Sequence, residues 1–238
     1  MDAVSGALFS IPWAQHRSRS TVATGMGATT LRLGTAGAGL LLVLFLLVHL
    51  AGVLPAVLAP ERFEAYAAGL HRAAWLPLVE LALLAAALLH LGLGLAKVIA
   101  NRRAGNSASL SSRRGQPLAA LAARSQAIGG VGLLLFLAVH LGQLRWPRPP
   151  QGAERAALEA VLRQPAMLAL YLAAAAAVGL HLLHGSEAAH RSLGLLDAGN
   201  GPRIRLAGRL LALVVAIGFA AVSVALALGL GLPLQPGP

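Results

Sequence analysis

Apolar side chains run along this chain in five long blocks, at about residues 33–58, 75–100, 125–144, 165–187 and 206–230. Each is close to the ~20 residues that an α-helix needs to cross the hydrocarbon core of a bilayer. The pattern predicts an all-α membrane protein whose five transmembrane helices form one bundle. The longest polar stretch, residues 101–124, reads as a connecting loop, and 61–70 reads as an amphipathic stretch between the first two spans. The five-helix domain therefore occupies 31–232, with a short tail at 233–238. The polar, basic, Ser/Thr-rich segment 1–30 lacks the short apolar core and small-residue cleavage site of a signal peptide and reads as a flexible N-terminal tail.

Composition agrees: 57% of the 238 residues are hydrophobic and 11% charged, which leaves no soluble domain of useful size. A net charge of +11 suggests nucleic acid at first sight, but its distribution argues for topology instead. Thirteen of the nineteen basic residues fall in the N-terminal segment and the second and fourth connections, including Arg17, Arg19, Arg32, Lys97, Arg102, Arg103, Arg113, Arg114 and Arg124. Six fall on the other side: Arg62, Arg72, Arg145, Arg148, Arg155 and Arg163. The positive-inside rule then places the N-terminus in the cytoplasm and the C-terminus outside. The absence of cysteine excludes disulfides, iron–sulfur ligation and c-type haem attachment in this chain, so any haem is held by axial ligands alone.

Four histidines, His49, His90, His140 and His181, lie deep in four of the apolar blocks. An imidazole in hydrocarbon is costly unless something satisfies it, so each is a functional candidate. Their spacing is regular. Leu44-Phe-Leu-Leu-Val-His49-Leu nearly repeats as Leu135-Phe-Leu-Ala-Val-His140-Leu, and the intervals His49–His140 and His90–His181 are both 91 residues. The first four helices thus read as two copies of one helix pair.

Depth sets the pairing. Each histidine sits about two-thirds along its helix, so His49 and His140 share a level towards the outside, and His90 and His181 one towards the cytoplasm. At 1.5 Å rise per residue the levels differ by roughly 15 Å, as two stacked bis-histidine haems require. Gly52, Gly92, Gly94, Gly142, Gly179 and Gly185 beside the ligands would leave room for a flat macrocycle, or would simply line helix contacts.

With these helices placed, the chain resembles the five-helix, dihaem cytochrome b anchor subunit of succinate dehydrogenases and fumarate reductases over roughly 30–230. The resemblance rests on the His49 segment, Phe63-Glu-Ala-Tyr66 followed by His71, and Glu80 ten residues before His90. It also rests on Arg124-Ser125 leading to His140, and on His181-Leu-Leu-His184-Gly185 running into Leu193-Gly194. It implies two b haems, a distal one on His49 and His140 and a proximal one on His90 and His181. It implies a flavoprotein and an iron–sulfur protein as partners on the cytoplasmic side of a bacterial inner membrane. Electrons would pass between succinate or fumarate and a membrane quinone, menaquinone rather than ubiquinone. The enzyme would belong to the respiratory chain and the tricarboxylic acid cycle, with no succinate chemistry in this subunit.

Other residues stay open. His184, one turn beyond His181, is an alternative ligand or a propionate contact. Arg32, Arg124 and Arg209 are candidates to neutralise haem propionates, or plain positive-inside anchors. His71 and Glu80 are candidates for quinone contact or proton transfer; for Glu80 the alternative is an acid paired with arginine at the interface. Glu187 reads as interfacial, His190 as facing solvent or the iron–sulfur partner, and His16 carries no assignment. Trp75, Trp146 and Tyr171 fit interfacial aromatic belts. Two rival functions remain: a stand-alone transmembrane dihaem carrier resembling cytochrome b561, for which six helices would be expected, and a histidine-relay transporter, for which interrupted helices and mid-membrane acids would be expected.

Overall fold

The computed structural model describes residues 14–103 and 116–230, with side chains from residue 27 onward except at 28. Among these residues every regular element is helical: α1 Ala14–Val53, α2 Pro55–Leu58, α3 Pro60–Arg72, α4 Leu76–Arg103, α5 Pro117–His140, α6 Glu154–Leu162, α7 Pro165–Ser192 and α8 Gly201–Ala227. Five spans are long and apolar enough to cross a membrane: Thr29–Leu58, Leu76–Arg103, Pro117–Arg145, Pro165–Ser192 and Gly201–Ala227. The chain is a multi-pass, all-helical membrane protein. Residues such as Ile128, 80% exposed, and Leu135, 65% exposed, turn their apolar side chains outward, as lipid contact demands.

Proline and glycine punctuate the helices. Proline lacks an N–H and suits the first helical position, where that donor has no partner anyway. Pro55, Pro60, Pro117 and Pro165 open α2, α3, α5 and α7 in this way. Gly194 and Gly229 adopt positive φ, at 71° and 67°, just past α7 and α8. There the Leu195 and Leu230 amides reach back to the carbonyls of His190 and Ala225, closing both helix ends as glycine caps do.

Three boundaries differ from the expectation. Helix α1 already runs from Ala14, inside the segment read as a flexible tail, because no proline interrupts it before Pro55; residues 1–13 and the tail at 233–238 lie outside the described residues. The 101–124 connection is helical at both ends, since α4 runs to Arg103 and α5 starts at Pro117 on an alanine-rich turn of high helix propensity. Arg113 and Arg114 lie outside the described residues, as do the side chains of His16, Arg17 and Arg19. Helix α6 was not anticipated. Within it Glu159 pairs with Arg155 at 2.9 Å one turn earlier and with Arg163 at 3.0 Å one turn later.

Helix α7 is the centre of the bundle, packed against α8, α5 and α1, while α4 leans mainly on α1. Neighbours in sequence run antiparallel: Gly34 faces Leu93 across α1–α4, and Gly130 faces His181 across α5–α7. The α3 and α6 segments therefore share one end of the bundle (the far face). The start of the first span and the α4–α5 and α7–α8 connections share the other (the near face). One core cluster joins Ala56, Phe63, Leu162, Tyr171, Val222 and Leu226 towards the far face, and a second joins Val178, Leu182, Ala212 and Val215 in the middle of α7–α8.

Small residues let α7 and α8 approach closely, as in membrane bundles generally. A Cβ on Gly179 would stand 2.8 Å from Cβ of Ala216, and one on Gly208 would collide with Ser186. Gly179→Val should wedge these helices apart and cost about 1–3 kcal/mol. A lower thermal midpoint of the detergent-solubilised protein would show it; an unchanged midpoint would mean that α8 can back away.

Candidate functional site: two facing histidine pairs

Four imidazoles converge in twos across helix boundaries. His49 on α1 faces His140 on α5 with ring centroids 5.9 Å apart and ring planes near perpendicular at 84°. His90 on α4 faces His181 on α7, also at 5.9 Å, with planes at 68°. These are the two pairs that depth and repeat spacing predict. The ring that faces His90 is that of His181, and His184 lies one turn beyond it on the same helix.

The two levels are separated by a length of helix. On α1, Gly39 lies against His90: a Cβ there would stand 2.9 Å from the ring carbon Cε1. His49 follows ten residues later, roughly 15 Å along the axis. On α5, a Cβ on Gly130 would stand 3.5 Å from Cε1 of His181, and His140 again follows ten residues later. Gly39 and Gly130 are themselves 91 residues apart, so the repeat extends from the histidines to the glycines that seat their partners. It extends to the aromatics as well: Phe45 stacks on His49 at 5.4 Å and Phe136 lies over His140 at 5.7 Å, each one turn before its histidine.

Hydrogen bonds orient the rings. His90 Nδ1 lies 3.0 Å from the Thr35 carbonyl oxygen, which can only accept, so Nδ1 carries the proton and Nε2 keeps its lone pair. At the position 91 residues on, Gln126 donates from Nε2 to the His181 carbonyl at 3.1 Å. The His181 Nδ1 and Gln126 Oε1 atoms are both buried without a hydrogen-bond partner among the described residues. His140 Nδ1 lies 3.2 Å from the Tyr171 hydroxyl. Tyr171 is only 9% exposed, against 56% for Trp75 and 69% for Trp146, so the tryptophans sit as belt residues do and the tyrosine does not.

This chemistry fits axial ligation of a macrocycle-bound metal. Two imidazole nitrogens each about 2 Å from one shared metal put their ring centroids roughly 6 Å apart, and both pairs meet that spacing. Among the described residues no three His, Cys, Asp or Glu side chains form a chelating group. Two facing imidazoles alone would leave most of a metal's coordination sphere to another ligand, such as the four nitrogens of a porphyrin. The six glycines divide. Gly179 serves the α7–α8 contact, a Cβ on Gly52 would stand 2.8 Å from the Tyr66 ring, one on Gly142 would touch Trp146, and one on Gly185 would stand 3.4 Å from Gln126. A Cβ on Gly92 or Gly94 would meet nothing within 4 Å among the described residues.

Most of the remaining candidates have definite partners. Both oxygens of Glu80 accept from Arg145, with Nη2–Oε2 at 2.8 Å, in a two-pronged ion pair at the far end of α4. His71 lies 3.4 Å from Glu154. Arg124 and Arg209 are exposed on α5 and α8, and Arg32, exposed on α1, donates to Thr29 at 3.5 Å. Glu187 is buried and pairs with Arg191 at 2.7 Å, and His190 bonds the Ser186 carbonyl one turn back.

A second polar group joins α3 to α6. Glu64 accepts the amides of Glu154 and Arg155 at 3.2 and 2.9 Å, serving as a cap supplied from another helix. Burial pushes the Glu64 carboxyl above its usual range, and the carboxyl–carboxylate hydrogen bond to Glu154 adds to this. Burial acts to raise Glu154 too, but the hydrogen bond with Glu64 and the backbone amides hold it below the usual range.

No family model, curated protein or solved structure matches the chain.

Glu64→Ala would strand two amides at the start of α6 and should cost about 0.5–2 kcal/mol locally. Faster hydrogen exchange in 154–162, with the transmembrane helices unaffected, is the expected result; unchanged exchange would mean that water replaces the cap without loss.

Proposed function

We propose that this chain is the membrane-anchor cytochrome b subunit of a succinate:quinone oxidoreductase, passing electrons between an iron–sulfur partner and membrane quinone through two bis-histidine b haems. The observation that carries the haem part is the double pairing: His49 with His140 and His90 with His181, each at 5.9 Å, on levels ten residues apart along both α1 and α5. The resemblance in sequence supplies the enzyme, its flavoprotein and iron–sulfur partners and its preference for menaquinone.

When bound, the haems supply one-electron chemistry; the protein sets their ligation, spacing and surroundings. His90 and His181 would hold the proximal group and His49 and His140 the distal one. The Thr35 carbonyl fixes the His90 proton on Nδ1, so Nε2 is the nitrogen left to bind metal. Phe45, Phe136 and Phe219 pack around His49 and His140 and exclude water from that level. Their separation of roughly 15 Å along the helices places the two levels in reach of successive electron steps.

Sidedness follows from charge. The near face holds most of the arginines, whereas on the far face Arg145, Arg155 and Arg163 are matched by Glu80 and Glu159. The positive-inside rule puts the near face in the cytoplasm of a bacterial inner membrane, with the soluble partners there and the quinone end at the far face. Succinate oxidation with quinone reduction and quinol oxidation with fumarate reduction use the same path.

The test combines ligand variants with purification. His90→Ala or His181→Ala should leave one haem of two per chain; retention of both would overturn the ligand assignment. Mild solubilisation should bring down flavin- and iron–sulfur-containing subunits, with part of the haem reducible by succinate. Two haems without such partners would contradict the anchor role and favour the stand-alone carrier.

A further inference from the structure

Helix α7 carries a hydroxyl at the level of His140. Tyr171 lies ten residues before His181, the same offset that separates the two histidine levels on α1 and α5. Its Oη is 3.2 Å from His140 Nδ1 and 3.2 Å from Gln143 Oε1, and Gln143 Nε2 lies 2.8 Å from the Met167 sulfur. A phenol has one proton to give. With the amide nitrogen of Gln143 turned to the thioether, its oxygen faces Tyr171 and takes that proton. The phenol oxygen is then left to accept, and the only proton it can accept is on His140 Nδ1. The chain runs in one direction, from His140 through Tyr171 and Gln143 to Met167.

The backbone contributes to this arrangement. Helix α5 gives way after His140 to a wider π-helical turn at Leu141–Arg145, a local form often found at functional sites. Gln143 sits in that turn. The Tyr171 ring is held edge-on by Phe136 with centroids 5.0 Å apart, so the hydroxyl has little freedom to leave. The repeat does not supply the same group twice. The position 91 residues before Tyr171 is Glu80, which is committed to Arg145.

We propose that Tyr171 is a positioning residue for His140: it accepts the Nδ1 proton, fixes the tautomer that leaves Nε2 for metal, and makes that imidazole a stronger donor. This rests on the bis-histidine haem reading above. A stronger donor favours the oxidised metal, so Tyr171 lowers the reduction potential of the His49/His140 site and leaves that of the other site alone. Outer hydrogen-bond partners of ligating histidines commonly act in this way.

The test is a redox titration of the purified complex, followed in the visible spectrum, for wild type, Tyr171→Phe and Gln143→Leu. Tyr171→Phe keeps the ring and its packing and removes only the hydroxyl, the acceptor for His140 and the donor to Gln143. Two haems should remain, and one of the two components should rise in potential, by a roughly tenfold change in its oxidised-to-reduced ratio, about 59 mV for one electron. Gln143→Leu should move the same component in the same direction by a smaller amount. Two haems with both potentials unmoved, or both moved equally, would overturn the inference while leaving the haem reading intact. If Tyr171→Phe loses haem, Gln143→Leu decides alone: no shift there overturns it. A wild-type protein without haem would overturn the haem reading itself and this inference with it.

Discussion

An imidazole inside an apolar span has to be met by another polar group or by a metal, because hydrocarbon offers it nothing. In this bundle the imidazoles are brought together in twos across helix boundaries, His49 against His140 and His90 against His181, while His181 Nδ1 has no hydrogen-bond partner among the described residues. The pairs require α1 to stand in register with α5, and α4 with α7. Much of the architecture can be understood as what holds that register. Gly39 and Gly130 bring backbone up to the facing rings, Thr35 and Gln126 tie α1 and α5 to the far partners, and Tyr171 ties α7 back to His140.

Helix α8 has a different task. It carries no histidine, yet it packs on α7 more extensively than any other pair of helices packs in the bundle. Its glycines and alanines mesh with Gly179 and Ser186, and its Phe219 lies 5.7 Å from His49. It therefore buttresses the central helix and closes one side of the far-level pair. The far face is finished by α3 and α6, joined through Glu64 and the amides at the start of α6. Those links are polar because this junction lies outside the spans, where carboxylates can still be stabilised by neighbours and water.

The five spans and the pairing were legible in the sequence for physical reasons. A bilayer imposes a length on apolar runs, and an exact interval of 91 residues carries both histidines and their glycine seats. What was missed had weaker signals. Helix α6 is nine residues that mix three charged side chains with alanine, leucine and valine, too short for hydropathy to reveal. The helical start of α1 at Ala14 lies in a polar segment where composition resembles a loop but nothing breaks the helix. Tyr171 was read as an interfacial aromatic because it is near a helix end. The ten-residue offset before His181 was the available clue, since it places Tyr171 beside the other histidine level. Glu80, at the corresponding offset before His90, could not be assigned from sequence because its partner Arg145 is 65 residues away.

The measurement that tests the central claim most directly is a haem count per chain on the purified wild-type complex, taken with low-temperature electron paramagnetic resonance of its oxidised form. Two facing histidine pairs predict two b-type haems per chain, both low-spin with two imidazole ligands. A protein produced with ample haem that bound none, or that bound haem only in a high-spin form with one imidazole, would contradict the account.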